Sequence, residues 1–147
     1  MILMTAVLLA TWAGSVTAAQ TSVTVSATVT GTCKFGSGGT MNFGNLDPST
    51  ATDVNALVLQ PTFWCTRNAS YTITDDGGLH VSGMNRRLQG TATGEFIPIT
   101  FTYTASGTGA GPTNPQTMDI SGQIVGNDYS GVSQDTYSDT VILTINP

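Results

Sequence analysis

The sequence predicts an all-β domain, and three observations carry that prediction. Short runs of Val, Ile, Thr and aromatic residues alternate apolar with polar at period two, turn residues separate the runs, and no segment carries a helical apolar period. Of the 147 residues, 39% are hydrophobic, so the chain can bury a core despite its abundance of Thr, Ser and Gly. The length fits one domain.

Residues 1–19, MILMTAVLLATWAGSVTAA, form an uncharged apolar stretch ending in small residues, the pattern of a secretion signal cleaved after Ala18 or Ala19. A membrane anchor fits less well, because Thr, Gly and Ser weaken the run and it barely reaches the roughly 20 residues of a spanning helix. The absence of Lys or Arg before the apolar run departs from the usual pattern and is consistent with a start upstream of Met1. Export implies an oxidising compartment such as the periplasm, where Cys33 and Cys65, the two cysteines of the chain, are expected to pair. Neither sits in a CxxC motif, so a redox-active thiol is disfavoured.

The segment Gln20–Thr32 places Val23, Val25, Ala27 and Val29 on one face and Thr24, Ser26, Thr28 and Thr30 on the other, an extended strand with one apolar edge. Met41–Leu46 is a short strand candidate, followed by a turn-rich stretch to Asn55. From Leu57 the parity sets Phe63 and Cys65 against Trp64 and Thr66, with Pro61 marking an edge or a break. Ser70–Thr74 runs into Asp75-Asp76-Gly77-Gly78, a hairpin signal with Leu79–Ser82 as the return strand. Phe96–Thr104 aligns Ile97, Ile99, Phe101 and Tyr103. Ala105–Gln116 reads as an exposed loop, Met118–Val125 as a strand and 126–134 as a loop. The last run sets Tyr137, Val141, Leu143 and Ile145 inward against Thr140, Thr144 and Asn146. A strongly alternating strand thus precedes the cysteine loop and a strong core strand stands last, as expected of a domain short of one strand and carrying a spare.

Composition excludes partners and chemistries. Four Lys and Arg against nine Asp and Glu give a net charge of −5, too few cations for a nucleic-acid partner. One histidine and two cysteines fall short of a four-ligand zinc site. Asp75-Asp76 could be an acid/base pair or a calcium site, but the following glycines favour a turn. His80 has no nucleophile motif beside it, so no enzyme activity, catalytic residue, metal or cofactor is expected. Arg86 and Arg87 point to opposite faces of a strand and read as solvated or paired. Asn68-Ala69-Ser70 matches a glycosylation sequon of high chance frequency. Trp64 falls on the outer face and is a candidate inter-subunit contact, with packing under a local loop as the plainer alternative.

The chain resembles the Spore Coat Protein U domain family, which includes subunits of archaic chaperone-usher pili. The resemblance rests on Gly31-Thr32-Cys33 after an alternating strand, Met41-Asn42-Phe43-Gly44, Cys65, Asp76-Gly77-Gly78, Arg87-Leu88, Ser121-Gly122-Gln123 and the run from Tyr137-Ser138-Asp139-Thr140 to Ile145. It implies an incomplete immunoglobulin-like β-sandwich lacking its last strand, with a signal peptide at 1–19, a donor strand at 20–32 and the pilin domain at 33–147. Strand addition would complete it: first from a periplasmic chaperone, then, at an outer-membrane usher, from the next copy of the chain in a homopolymer. Val23, Val25, Ala27 and Val29 would enter the neighbour's groove, and Tyr137, Val141, Leu143 and Ile145 would line it. Pro147 stands where an apolar residue is more usual. The implied product is a surface fibre for adhesion or biofilm formation, exported through the periplasm. Competing readings are a secreted coat or matrix protein, a carbohydrate-binding adhesin module using Ala105–Gln116, and a secreted hydrolase, for which no constellation stands out.

Overall fold

The parity read from Phe63 and Cys65 organises the centre of the molecule: both are buried, while Thr62 and Trp64 are half-buried on the opposite face of their strand. The computed structural model describes Gly14 and residues 17–147, so the expected secretion signal falls mostly outside the described residues. In chain order the strands are β1 (Cys33–Ser37), β2 (Thr40–Asn42), β3 (Val54–Asn55), β4 (Leu57–Leu59), β5 (Thr62–Cys65), β6 (Ser70–Asp75) and β7 (Arg86–Gly90). They continue with β8 (Phe96–Tyr103), β9 (Ser106–Thr108), β10 (Gln116–Thr117) and β11 (Ile120–Ile124). A one-turn helix, α1 (Gly126–Tyr129), precedes β12 (Tyr137–Ser138) and β13 (Leu143–Asn146). The fold is all-β, and the pairings among the described residues are antiparallel: β1-β5-β10, β12-β7-β8-β11-β3, β13-β6-β9 and β2-β4.

Two apolar clusters fill the interior. Phe63, Cys65, Tyr71, Ile73, Met118 and Ile120 form one, with Phe63 and Tyr71 in edge-to-face contact at 5.1 Å. Ile97, Ile124 and Tyr129 form the other, on the five-stranded sheet. The disulfide Cys33–Cys65 joins β1 to β5 at directly paired positions, as the cysteine count predicts. Closing that loop stabilises the fold by about 3 to 4 kcal/mol on the chain-entropy account.

Several local expectations are corrected. The Asp75–Gly78 turn forms, with Gly77 and Gly78 at φ +84° and +93°, but Leu79–Ser82 does not return as a strand. β6 is flanked by β13 and β9 instead, so Leu79 has no core to face and is 70% exposed. The stretch 105–116 holds β9 and the start of β10, paired to β6 and β5. The stretch 126–134 begins with α1, because Tyr129 is buried and its hydroxyl donates to the Thr52 carbonyl at 2.8 Å. The final run keeps its alternation of burial from Tyr137 to Ile145, but its ladder is interrupted at 139–142, where it passes from β7 to β6.

Candidate functional site

The segment Gln20–Thr32 has the period-two pattern of a strand, yet it belongs to no ladder among the described residues. Val23, Val25 and Val29 are 80%, 90% and 84% exposed, and Ala27 is exposed too. The segment therefore presents a row of four apolar side chains to water, an arrangement that gains nothing until a second surface covers it. Its root is fixed. The Thr66 N–H donates to the Thr32 carbonyl at 2.8 Å, and the Thr32 N–H donates to the Thr66 hydroxyl at 3.0 Å.

Elsewhere the molecule is open. A cleft of about 1160 Å³ runs between the β1–β2 region and the C-terminal run, and the apolar interior forms its floor. Phe35, Met41 and Phe43 stand on one wall; Tyr137, Val141 and Leu143 stand on the other. Ile97, Ile99, Phe101, Ile120 and Ile124 lie between them. β1, β2, β12 and β13 are all edge strands among the described residues: each pairs on one side, with β5, β4, β7 and β6 respectively. Edge strands thus stand on both walls of one apolar trough, β1 and β2 on one and β12 and β13 on the other, each with one unpaired side.

The C-terminal wall is held where its ladder breaks. The Asp76 N–H donates to the Ile142 carbonyl at 3.1 Å, the Ile142 N–H to Asp76 Oδ1 at 2.9 Å and the Leu79 N–H to the Thr140 carbonyl at 3.3 Å. His80 Nδ1 lies 2.9 Å from Asp139 Oδ1. Gly78 is required here: a Cβ on it would collide with the Asp139 carboxylate, and its φ is in the left-handed region.

Carboxylates tie the rim. Asp135 accepts the backbone N–H groups of Thr93 and Ala92, which hold its carboxyl down at about 2. Glu95 is lowered chiefly by the Ser133 N–H, and it accepts the Tyr137 hydroxyl at 3.1 Å. Desolvation raises the Tyr137 phenol. Burial pushes Asp75 up, but its bonds with Arg86 and Tyr103 prevail and leave it below the ordinary carboxylate range. None of these groups points to bond-making chemistry. Among the described residues no cluster of three or more His, Cys, Asp or Glu could hold a metal ion.

The residues singled out in the sequence fall in three places. Val23, Val25, Ala27 and Val29 lie on the free segment; Tyr137, Val141 and Leu143 line the cleft. Ile145 lies beyond it and packs against the first core cluster. Trp64 faces outward beside Lys34 on β1, half-buried. The opposite wall, with Phe35, Met41 and Phe43, was not apparent from the sequence, although Met41–Leu46 stood out as a strand candidate. The floor was legible in the parity of Ile97, Ile99 and Phe101, but not as a floor.

A search of curated proteins finds no match to the sequence. One solved structure in which a similar chain occurs is the CsuC–CsuE chaperone–tip adhesion subunit pre-assembly complex from the archaic chaperone-usher Csu pili of Acinetobacter baumannii. The sequences are 20% identical, the TM-score is 0.48, and the match covers 80% of this chain and 40% of that one. The chain thus spans less than half the length of that relative. The Spore Coat Protein U domain family matches residues 19–144, nearly the whole chain, and the chain belongs to that family.

Proposed function

We propose that the protein is a structural subunit of a surface fibre, assembled by the chaperone-usher pathway through donor-strand complementation. The observation that carries this reading is the pairing of a deficit with a surplus: a cleft with edge strands on both walls, and a free segment with four apolar side chains on one face. A strand added to the cleft extends the ladders of both edges and covers the floor. Burying three Val and one Ala contributes of order 5 kcal/mol, and each backbone hydrogen bond adds about 1 kcal/mol. The segment Gln20–Thr32 of a neighbouring copy supplies that strand, and repetition gives a homopolymer. Before assembly the open edges need cover, which a periplasmic chaperone lends until an outer-membrane usher admits the next subunit. The fibre then stands on the cell surface and supports adhesion or biofilm formation.

A single charge on the donor face tests the reading. With Val25→Asp, coexpressed with the chaperone, the soluble chaperone complex is expected to persist while fibres are lost, because an aspartate cannot enter an apolar trough without a partner. Fibres at the wild-type level would contradict the proposal.

A further inference from the structure

We infer that Thr66 is a positioning residue that keeps the free segment out of its own cleft, and so directs strand exchange between chains rather than within one. This rests on the strand-acceptor reading above. The free segment leaves the fold beside the very cleft it is complementary to: β1, which begins at Cys33, is an edge strand bordering that cleft. Folding back along β1 would fill the site at high local concentration and leave a closed monomer unable to polymerise.

For a tight reversal Gly31 is the best-suited residue of the segment. A two-residue hairpin requires backbone at positive φ, which favours Gly, Asn or Asp. Between residues 20 and 32 there is a single glycine, Gly31, and no Asn, Asp or Pro. Upstream of it Thr28, Val29 and Thr30 are β-branched and resist positive φ. Downstream, Cys33 is locked by its disulfide.

Thr66 spans that glycine. Its hydroxyl contacts the Thr30 carbonyl at 3.4 Å and the Thr32 carbonyl at 3.3 Å, and accepts the Thr32 N–H at 3.0 Å. Its own N–H holds the Thr32 carbonyl at 2.8 Å. Gly31 stays out of the left-handed region, and no residue of the segment lines the cleft. One hydroxyl thus bridges both sides of Gly31 and holds the segment where it points outward.

The test uses the full chain, refolded dilute without chaperone, and a labelled synthetic peptide of residues 20–32 as the probe of an open cleft. Thr66→Val keeps the backbone bond and loses the hydroxyl. It is expected to take up about fivefold less peptide as a monomer, the change that losing one hydrogen bond produces. Its own residues 20–30 should then be protected from amide exchange. Thr66→Ser should behave as wild type. Gly31→Ala in the Thr66→Val background should restore uptake by removing the turn; the added Cβ fits, 3.4 Å from Pro147 Cβ and 3.6 Å from Ala69 Cβ. Thr66→Ala serves if valine impairs folding. Equal peptide uptake by wild type and the Thr66 variants, with the segment unprotected in both, would overturn the role of Thr66 while leaving the acceptor cleft intact. No uptake even by wild type would overturn the strand-acceptor reading, and this inference with it.

Discussion

His80 Nδ1 sits 2.9 Å from Asp139 Oδ1, and the Asp139 side chain is 2% exposed. The carboxylate has no hydrogen-bond partner among the described residues, so this close approach of the imidazole is the contact that offsets its desolvation. His80 is itself placed by its carbonyl, which accepts the Arg87 Nε–H at 3.0 Å, while the Arg87 guanidinium lies 4.0 Å from the centre of the Phe96 ring. A lone histidine with no catalytic motif around it thus anchors the C-terminal wall of the cleft at the break between β12 and β13.

Removing that anchor should cost stability. His80→Ala is expected to lower unfolding free energy by about 2 to 3 kcal/mol, since it leaves a buried carboxylate unpaired. Urea denaturation measures it. Gly78→Ala should also destabilise, through both its φ of +93° and the collision with Asp139, whereas Gly38→Ala, with no atom near its Cβ position, should be close to neutral.

Core and donor positions should separate cleanly. Ile97 is 1% exposed, and Ile97→Ala is expected to cost about 2 to 5 kcal/mol in the unassembled subunit. Val25 is 90% exposed, and Val25→Ala should leave the unassembled subunit unchanged while weakening the fibre by about 1 to 2 kcal/mol per junction. Thermal melts of the subunit and of the fibre provide the two readings.

Much of this was legible in the sequence because period-two alternation survives folding. Phe63, Cys65, Ile97 and the run from Tyr137 to Ile145 all keep the parity the sequence predicts. The hairpin expected at Asp75–Ser82 did not form, because β6 finds its partners in β9 and β13, far away in sequence, and turn chemistry carries no information on such pairing. The first wall of the cleft was hidden for a related reason: Met41 and Phe43 alternate weakly, and their apolar side chains border a space rather than a packed neighbour. The segment Gln20–Thr32 stood out in the sequence as a spare strand, and among the described residues it joins no ladder, although Thr30 and Thr32 bond to Thr66 at its root.

Reduction of Cys33–Cys65 should lower stability by about 3 to 4 kcal/mol, measured as the shift in urea midpoint with and without dithiothreitol. The disulfide borders the root of the free segment, so reduction should also raise amide exchange at Thr32 and Thr66.

Acid should loosen the rim before it reaches the core. Asp135 has its carboxyl lowered from 3.8 to about 2 in the folded chain, so its contribution is present above its unfolded value and is lost as pH falls from about 4 through 2. Asp47, Asp75, Asp76 and Glu95 are shifted in the same direction and act in the same sense. Asp135→Asn should lower stability at pH 6 and reduce the further loss between pH 4 and 2, read from urea midpoints across that range.

The central claim is that one chain's free segment becomes the missing strand of another. Hydrogen exchange of the backbone amides, compared between the free subunit and the assembled fibre, measures it most directly. In the free subunit, amides of residues 23–29 should exchange as in an unstructured peptide. In the fibre they should be strongly protected, together with unpaired edge amides of β1, β2, β12 and β13. Fibres in which residues 23–29 still exchange freely would contradict the account.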